Sequence, residues 1–206
     1  IPTFSVSLFG GSLFRVAIST LPFLLPLMFQ LGFGLSAFDA GLLVLGVFAG
    51  NLAMKPFTSP IMQRWGFRAV LMGNGVIGVV AIAACAWLDE RMSSALILFI
   101  LFVGGLSRSM QFTAFNTLGF ADVPKPQMSD ASTMFSMFFQ LSMGMGVAIG
   151  ALLLRGSMYL HGNHGQAQTV DFQLTFIGVA LIALLALLDN RRLSAESGEA
   201  VLQRKS

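Results

Sequence analysis

The chain has 206 residues, of which 55% are hydrophobic and only 10% charged, with a formal net charge of +3 and a mean hydropathy of +0.80. Soluble domains carry roughly 25% charged residues, so this composition excludes an ordinary globular fold and reads as a membrane protein with no sizeable soluble domain. So small a charge gives no reason to expect a nucleic-acid partner, and one cysteine, Cys85, excludes an internal disulfide.

In chain order, apolar runs long enough to cross a bilayer of about 30 Å lie near Leu8–Gln30, Ala40–Thr58, Val70–Leu88, Ala95–Leu118, Ala131–Leu154 and Phe172–Leu188. They are continuous rather than alternating, which favours helices over barrel strands. The expectation is an all-α membrane protein, a six-helix bundle over residues 1–192 followed by a polar tail at 193–206, which should be mobile. Ile1 to Ser7 lacks a basic region leading to a small-residue cleavage site, so the start reads as a point part-way along a longer polypeptide.

Lys55, Arg64, Arg68, Lys125, Arg191, Arg192, Arg204 and Lys205 fall in alternate connections and the tail, against Arg91 and Arg155 on the other side. The positive-inside rule therefore expects both ends of this chain in the cytoplasm. Ser36 and Asp39 have capping-box spacing, Ser129 and Asp130 are placed to cap the fifth helix, and Pro124 and Pro126 separate the fourth from the fifth. The segment His161–Gly165 reads as a flexible polar loop on the exterior side. Pro22 and Pro26 should kink the first helix.

Polar residues inside hydrocarbon must face protein or water, so their angular placement identifies lining faces. Ser12, Arg15, Ser19, Pro22, Pro26 and Gln30 form one stripe on the first helix. Gly104, Arg108, Gln111 and Phe115 form another on the fourth, and Ser129, Ser132, Ser136 and Gln140 a third on the fifth. The third and sixth helices carry little polarity and read as peripheral. This period of three helices, together with Leu13-Phe14-Arg15 and Thr20 echoed by Leu106-Ser107-Arg108 and Thr113, suggests two three-helix units of inverted topology. Gly46 with Gly50 and Gly146 with Gly150 have the spacing of close helix contacts.

Three stretches resemble the major facilitator superfamily, closest to bacterial drug:proton antiporters of the 14-span type. Ser59-Pro60-Ile61-Met62-Gln63-Arg64-Trp65-Gly66-Phe67-Arg68 is similar to the superfamily's cytoplasmic loop pattern G-x-L-a-D-r-x-G-r-r, keeping Arg64, Gly66 and Arg68 but replacing its Gly and Asp by Ser59 and Gln63. Phe115-Asn116-Thr117-Leu118 with Asp122-Val123-Pro124 and Ser129-Asp130-Ala131-Ser132 is similar to the junction between two of the later spans, and Gln140 to Gly150 to the glycine-rich helix before the last. The resemblance implies the C-terminal half of a transporter in a bacterial inner membrane, whose partners are the lipid bilayer, a missing N-terminal half, protons and a small amphipathic substrate, with no cofactor. Alternatives are a carrier of a defined solute or a non-transporting assembly fragment. An intramembrane enzyme would need a Ser/His pair, a metal motif or paired acids at membrane depth, and the sequence offers none.

The candidate cavity residues are Arg15, Ser19, Arg108, Gln111, Phe115, Ser136 and Gln140. A central arginine costs about 2.5 to 3.5 kcal/mol on insertion scales unless paired or hydrated. Arg15 either faces a cavity or snorkels to the nearer surface, and Arg108 lies deeper, where snorkelling is hard and a cavity-facing role is favoured over a structural one. Gln111 and Gln140 either bond a ligand or join helices. His161 and His164 have metal-like spacing but no third ligand, so no metal is expected. With no Asp or Glu inside the six runs, a proton-carrying carboxylate should lie in the missing half.

Overall fold

The computed structural model describes residues 2–163 and 165–192; His164 and the expected tail at 193–206 lie outside the described residues. Among these, all regular structure is helical: α1 Pro2–Ser19, α2 Leu21–Leu27, a π-helical turn Met28–Gly32, α3 Ala37–Ala84, α4 Ser94–Ala121, α5 Met128–Leu160 and α6 Thr169–Asp189. Five helical stretches are long and apolar enough to cross a membrane, the first being Thr3–Gly32, which runs through α1, α2 and the π turn.

Pro22 and Pro26 lack backbone donors, and the column changes registry where they lie: α1 gives way at Thr20, and α2 passes into the π turn at Met28. Two expected spans appear as one continuous α3, interrupted at Gly66, whose φ of 75° and ψ of 162° only glycine adopts readily. The chain reverses there. Gly46 and Gly50 lie against Leu98 and Phe102, so the arm before Gly66 ascends in step with α4. After Gly66 the pairing descends, with Gly75 against Gln111 and Gly78 against Ser107.

Close approach of backbones follows from the glycines. A Cβ at Gly50 would fall on the Phe102 carbonyl, one at Gly105 on the Val47 carbonyl, and one at Gly146 on Ser19 Oγ and the Val16 carbonyl. Both expected glycine pairs therefore sit at helix contacts, Gly46–Gly50 joining α3 to α4 and Gly146–Gly150 joining α5 to α1. Gly105 supplies the other half of the first contact.

Ser36 caps α3, accepting from the Asp39 amide at 3.1 Å. The expected cap of the fifth helix differs: α5 starts at Met128 with Gln127 as its N-cap, after a 3₁₀ turn over Lys125–Gln127. Pro126 fixes a helical φ in that turn and draws the start ahead of Ser129. The sixth helix is also less peripheral than expected, because Phe172, Phe176, Val179 and Ala183 pack into the main core with Leu24, Phe29 and Leu101. Of the five long stretches, α5 is the least covered.

Candidate functional site

Arg15 is only 1% exposed. It lies about 18 Å along the helix from Thr3 at 1.5 Å per residue, well inside a hydrocarbon layer of about 30 Å. It does not snorkel. The guanidinium lies within cation–π range of three phenyl rings, 4.6 Å from the centroid of Phe135, 5.3 Å from Phe139 and 5.8 Å from Phe112, an aromatic surrounding that a weakly hydrated cation tolerates better than an ammonium. Nη2 donates to Asn116 Oδ1 at 3.2 Å, while Nη1 is buried with no partner. Gly11 makes the room, since a Cβ there would stand 3.0 Å from Nη1. Among the described residues no carboxylate forms a salt bridge with this charge.

Over those rings lies an open groove of about 450 Å³ between the end of α4 and the start of α5, lined by Asn116, Thr117, Ser132, Ser136 and Gln140. Phe120, Phe135 and Phe139 complete it. Rings of the two helices meet beside it, Phe112 edge-on to Phe139 at 5.7 Å and Phe120 tilted against Phe135 at 5.1 Å. Asn116, Ser136 and Gln140 are exposed, and a polar, water-accessible surface at the side of a membrane bundle requires water or further protein against it. The stripes on α1 and α5 thus converge, and the sequence missed Asn116 as a member because its interest lies in what Arg15 does to it.

The other candidates are dispersed. Arg108 stands fourteen residues from Ser94 and thirteen from Ala121, about 20 Å from either end of α4. It is half-buried and lines a narrow apolar cleft of about 30 Å³ with Phe14, Leu25, Val47 and Cys85, room for one or two waters. Arg108, Phe112 and Asn116 step by four residues along one face of α4, so the two guanidinium groups flank the same ridge. Gln111 is turned away from it and is buried, its amide donating to the Leu71 carbonyl at 3.2 Å and its Oε1 accepting from Asn74 at 2.9 Å. It joins α4 to α3, and Asn74 adds a second bond to the Ser107 carbonyl. Phe115 is buried against Phe14, centroids 5.9 Å apart, and Ser19 bonds the Val16 carbonyl beneath Gly146. Of the loop motif, Arg64 and Arg68 are exposed and Gly66 makes the reversal.

One cluster went unread because the sixth span was placed from Phe172 onward. The helix starts at Thr169, so Asp171 belongs to its first turn and is fully buried. It accepts from His161 Nδ1 at 2.8 Å, Asn163 Nδ2 at 2.8 Å and the Gln168 amide at 2.9 Å. The expected flexible loop is therefore tied down at His161 and Asn163. The acid is absorbed in capping α6, and among the described residues no set of three metal-ligating side chains comes together.

Residues 7–199 match the family model described as Major Facilitator Superfamily. A protein named multidrug resistance protein MdtD from Pectobacterium carotovorum subsp. carotovorum is 34% identical over 206 residues, covering 99% of this chain and 44% of its own length. Its namesake in Escherichia coli K12 is also 34% identical, over 186 residues, covering 89% of this chain and 39% of its own length. The chain thus spans less than half the length of the curated relatives it matches.

Proposed function

Because the chain belongs to the Major Facilitator Superfamily, we propose that it forms the C-terminal half of a secondary transporter that exports amphipathic compounds in exchange for protons across a bacterial inner membrane. The observation that carries this is Arg15: a buried, incompletely bonded guanidinium at membrane depth, behind an open polar groove on the least covered side of the bundle. A membrane protein retains such a group when a second body completes its surroundings. The relatives named for multidrug resistance support the substrate class.

On this reading the two arms of α3 cross the membrane separately, giving six spans in two inverted three-helix units, with the Gly66 turn and both ends of the chain cytoplasmic. The groove then faces the N-terminal half, and rocking of one half against the other opens it to each side in turn. Arg15, Arg108, Ser136 and Gln140 line or flank the path. The proton-carrying carboxylate belongs to the N-terminal half, since Asp171 is engaged in capping α6.

The test uses the full-length protein with single cysteines. Ser136→Cys should react with a maleimide and be protected by a transported compound. Gln63→Cys and Gly162→Cys should react with an impermeant reagent from opposite faces of the membrane. A Ser136→Cys that no transported compound protects, together with unimpaired efflux by Gln140→Ala, would overturn the groove as the substrate path.

A further inference from the structure

The bond between Arg15 and Asn116 fixes more than its own geometry. A guanidinium offers only donors, so the amide atom turned toward Nη2 is Oδ1, at 3.2 Å. Asn116 is exposed and lines the groove, which leaves Nδ2 and its two protons for whatever enters. Across from it stand the hydroxyls of Ser132 and Ser136 and the Gln140 amide. No Asp or Glu lines this groove among the described residues: Asp130 lies along a different groove with Met134 and Met137, and Asp122 accepts from Thr3 at 2.8 Å. Arg15 places a formal positive charge against the groove's wall, in contact with Phe135, Phe139 and Asn116, all three of which line it. The guanidinium itself is buried away from water, so its field reaches the groove across no more than a ring's thickness.

We propose that this groove selects anionic amphiphiles, and that Asn116 is the residue that reads the head. A carboxylate or sulfonate accepts from Asn116 Nδ2 in the positive field of Arg15, while an alkyl or aromatic body lies on Phe120, Phe135 and Phe139. Arg15 is a positioning residue: it holds the amide with its donor end outward and supplies charge without touching the ligand. Cationic amphiphiles of the same size meet donors and like charge, which is discrimination by repulsion as well as attraction. This rests on the groove being the substrate path.

The experiment uses the full-length protein carrying Ser136→Cys in phosphatidylcholine vesicles, with deoxycholate as the anionic probe and ethidium as the cationic one. Deoxycholate should slow maleimide labelling at a concentration lower by about tenfold or more. Asn116→Asp, whose carboxylate pairs with Arg15 and presents acceptors to the groove, should abolish that preference, and Asn116→Leu should weaken protection by deoxycholate alone. Phosphatidylglycerol in the vesicles protecting the cysteine without added probe would keep the anion chemistry and identify a lipid headgroup as its source. Equal or stronger protection by ethidium in protein whose only substitution is Ser136→Cys overturns the proposal whether or not either Asn116 variant folds, yet leaves the groove as a substrate path; protection by neither probe nor by any transported compound instead removes that path.

Discussion

Replacing Arg15 by methionine separates a guanidinium kept for function from one kept for stability. The substitution deletes one charge-assisted hydrogen bond, worth about 1.5 to 3 kcal/mol, and the cation–π contacts that one cation shares among three rings, worth about 2 kcal/mol when desolvated. Against this it removes the cost of holding a guanidinium at membrane depth, about 2.5 to 3.5 kcal/mol on insertion scales, and places a flexible apolar side chain in the same volume. That side chain contributes about 1.5 to 3 kcal/mol of burial. Asn116, freed from Arg15, is exposed to the groove and bonds water there. Losses and gains therefore cancel to within about 2 kcal/mol, as they do when buried ions elsewhere are exchanged for apolar groups. The expected outcome is a full-length Arg15→Met protein that inserts normally and melts within about 8 °C of wild type, since a chain of this size or longer shifts by at most about 4 °C per kcal/mol, but exports nothing. Arg15→Lys should lose most of the activity too, because an ammonium keeps the charge but loses the fork of donors that reaches Asn116. Melting of detergent-purified protein and efflux per unit of inserted protein decide the matter. A variant that melts far lower would make Arg15 a structural anchor, and one that melts normally and still exports would refute the role assigned here.

Arg108→Ala should likewise abolish efflux with insertion intact; wild-type efflux would relegate that residue to solvating its own cleft. Gly105→Leu should destabilise by about 3 kcal/mol or more, since even a methyl group falls on the Val47 carbonyl, whereas Gly73→Leu, which meets nothing within 4 Å, should leave melting unchanged. Gly66→Ala should cost about 1 to 3 kcal/mol through its positive φ alone, because the added methyl group points into open space. Asp171→Ala strands the His161, Asn163 and Gln168 donors and should lower stability by about 3 kcal/mol, more than His161→Gln, which leaves two of those three bonds in place. Equal melting of the two would show that Asp171 is not the hub of that loop.

Class, helical character, the positions of the close-packed glycines and the presence of an arginine deep in the first helix were legible in the sequence, because each depends on local quantities: hydrophobic run length, small-xxx-small spacing, and where a charge falls within an apolar run. Helix ends were less legible, since a helix extends past the apolar run wherever capping and neighbouring helices allow. That is why Asp171 fell outside the sixth run and inside α6. A stripe gives the azimuth of a residue on its own helix and says nothing of which neighbour meets it. Gln111 and Arg108 lie on one stripe, yet the first is consumed by Asn74 and Leu71 of α3 while the second opens onto a cleft. Only the packing of α1 between α4 and α5 decided that Arg15, the phenyl rings of two other helices and Asn116, some hundred positions away, would share one site, because the partners of a buried cation are set by which helices touch and no spacing along the chain encodes that.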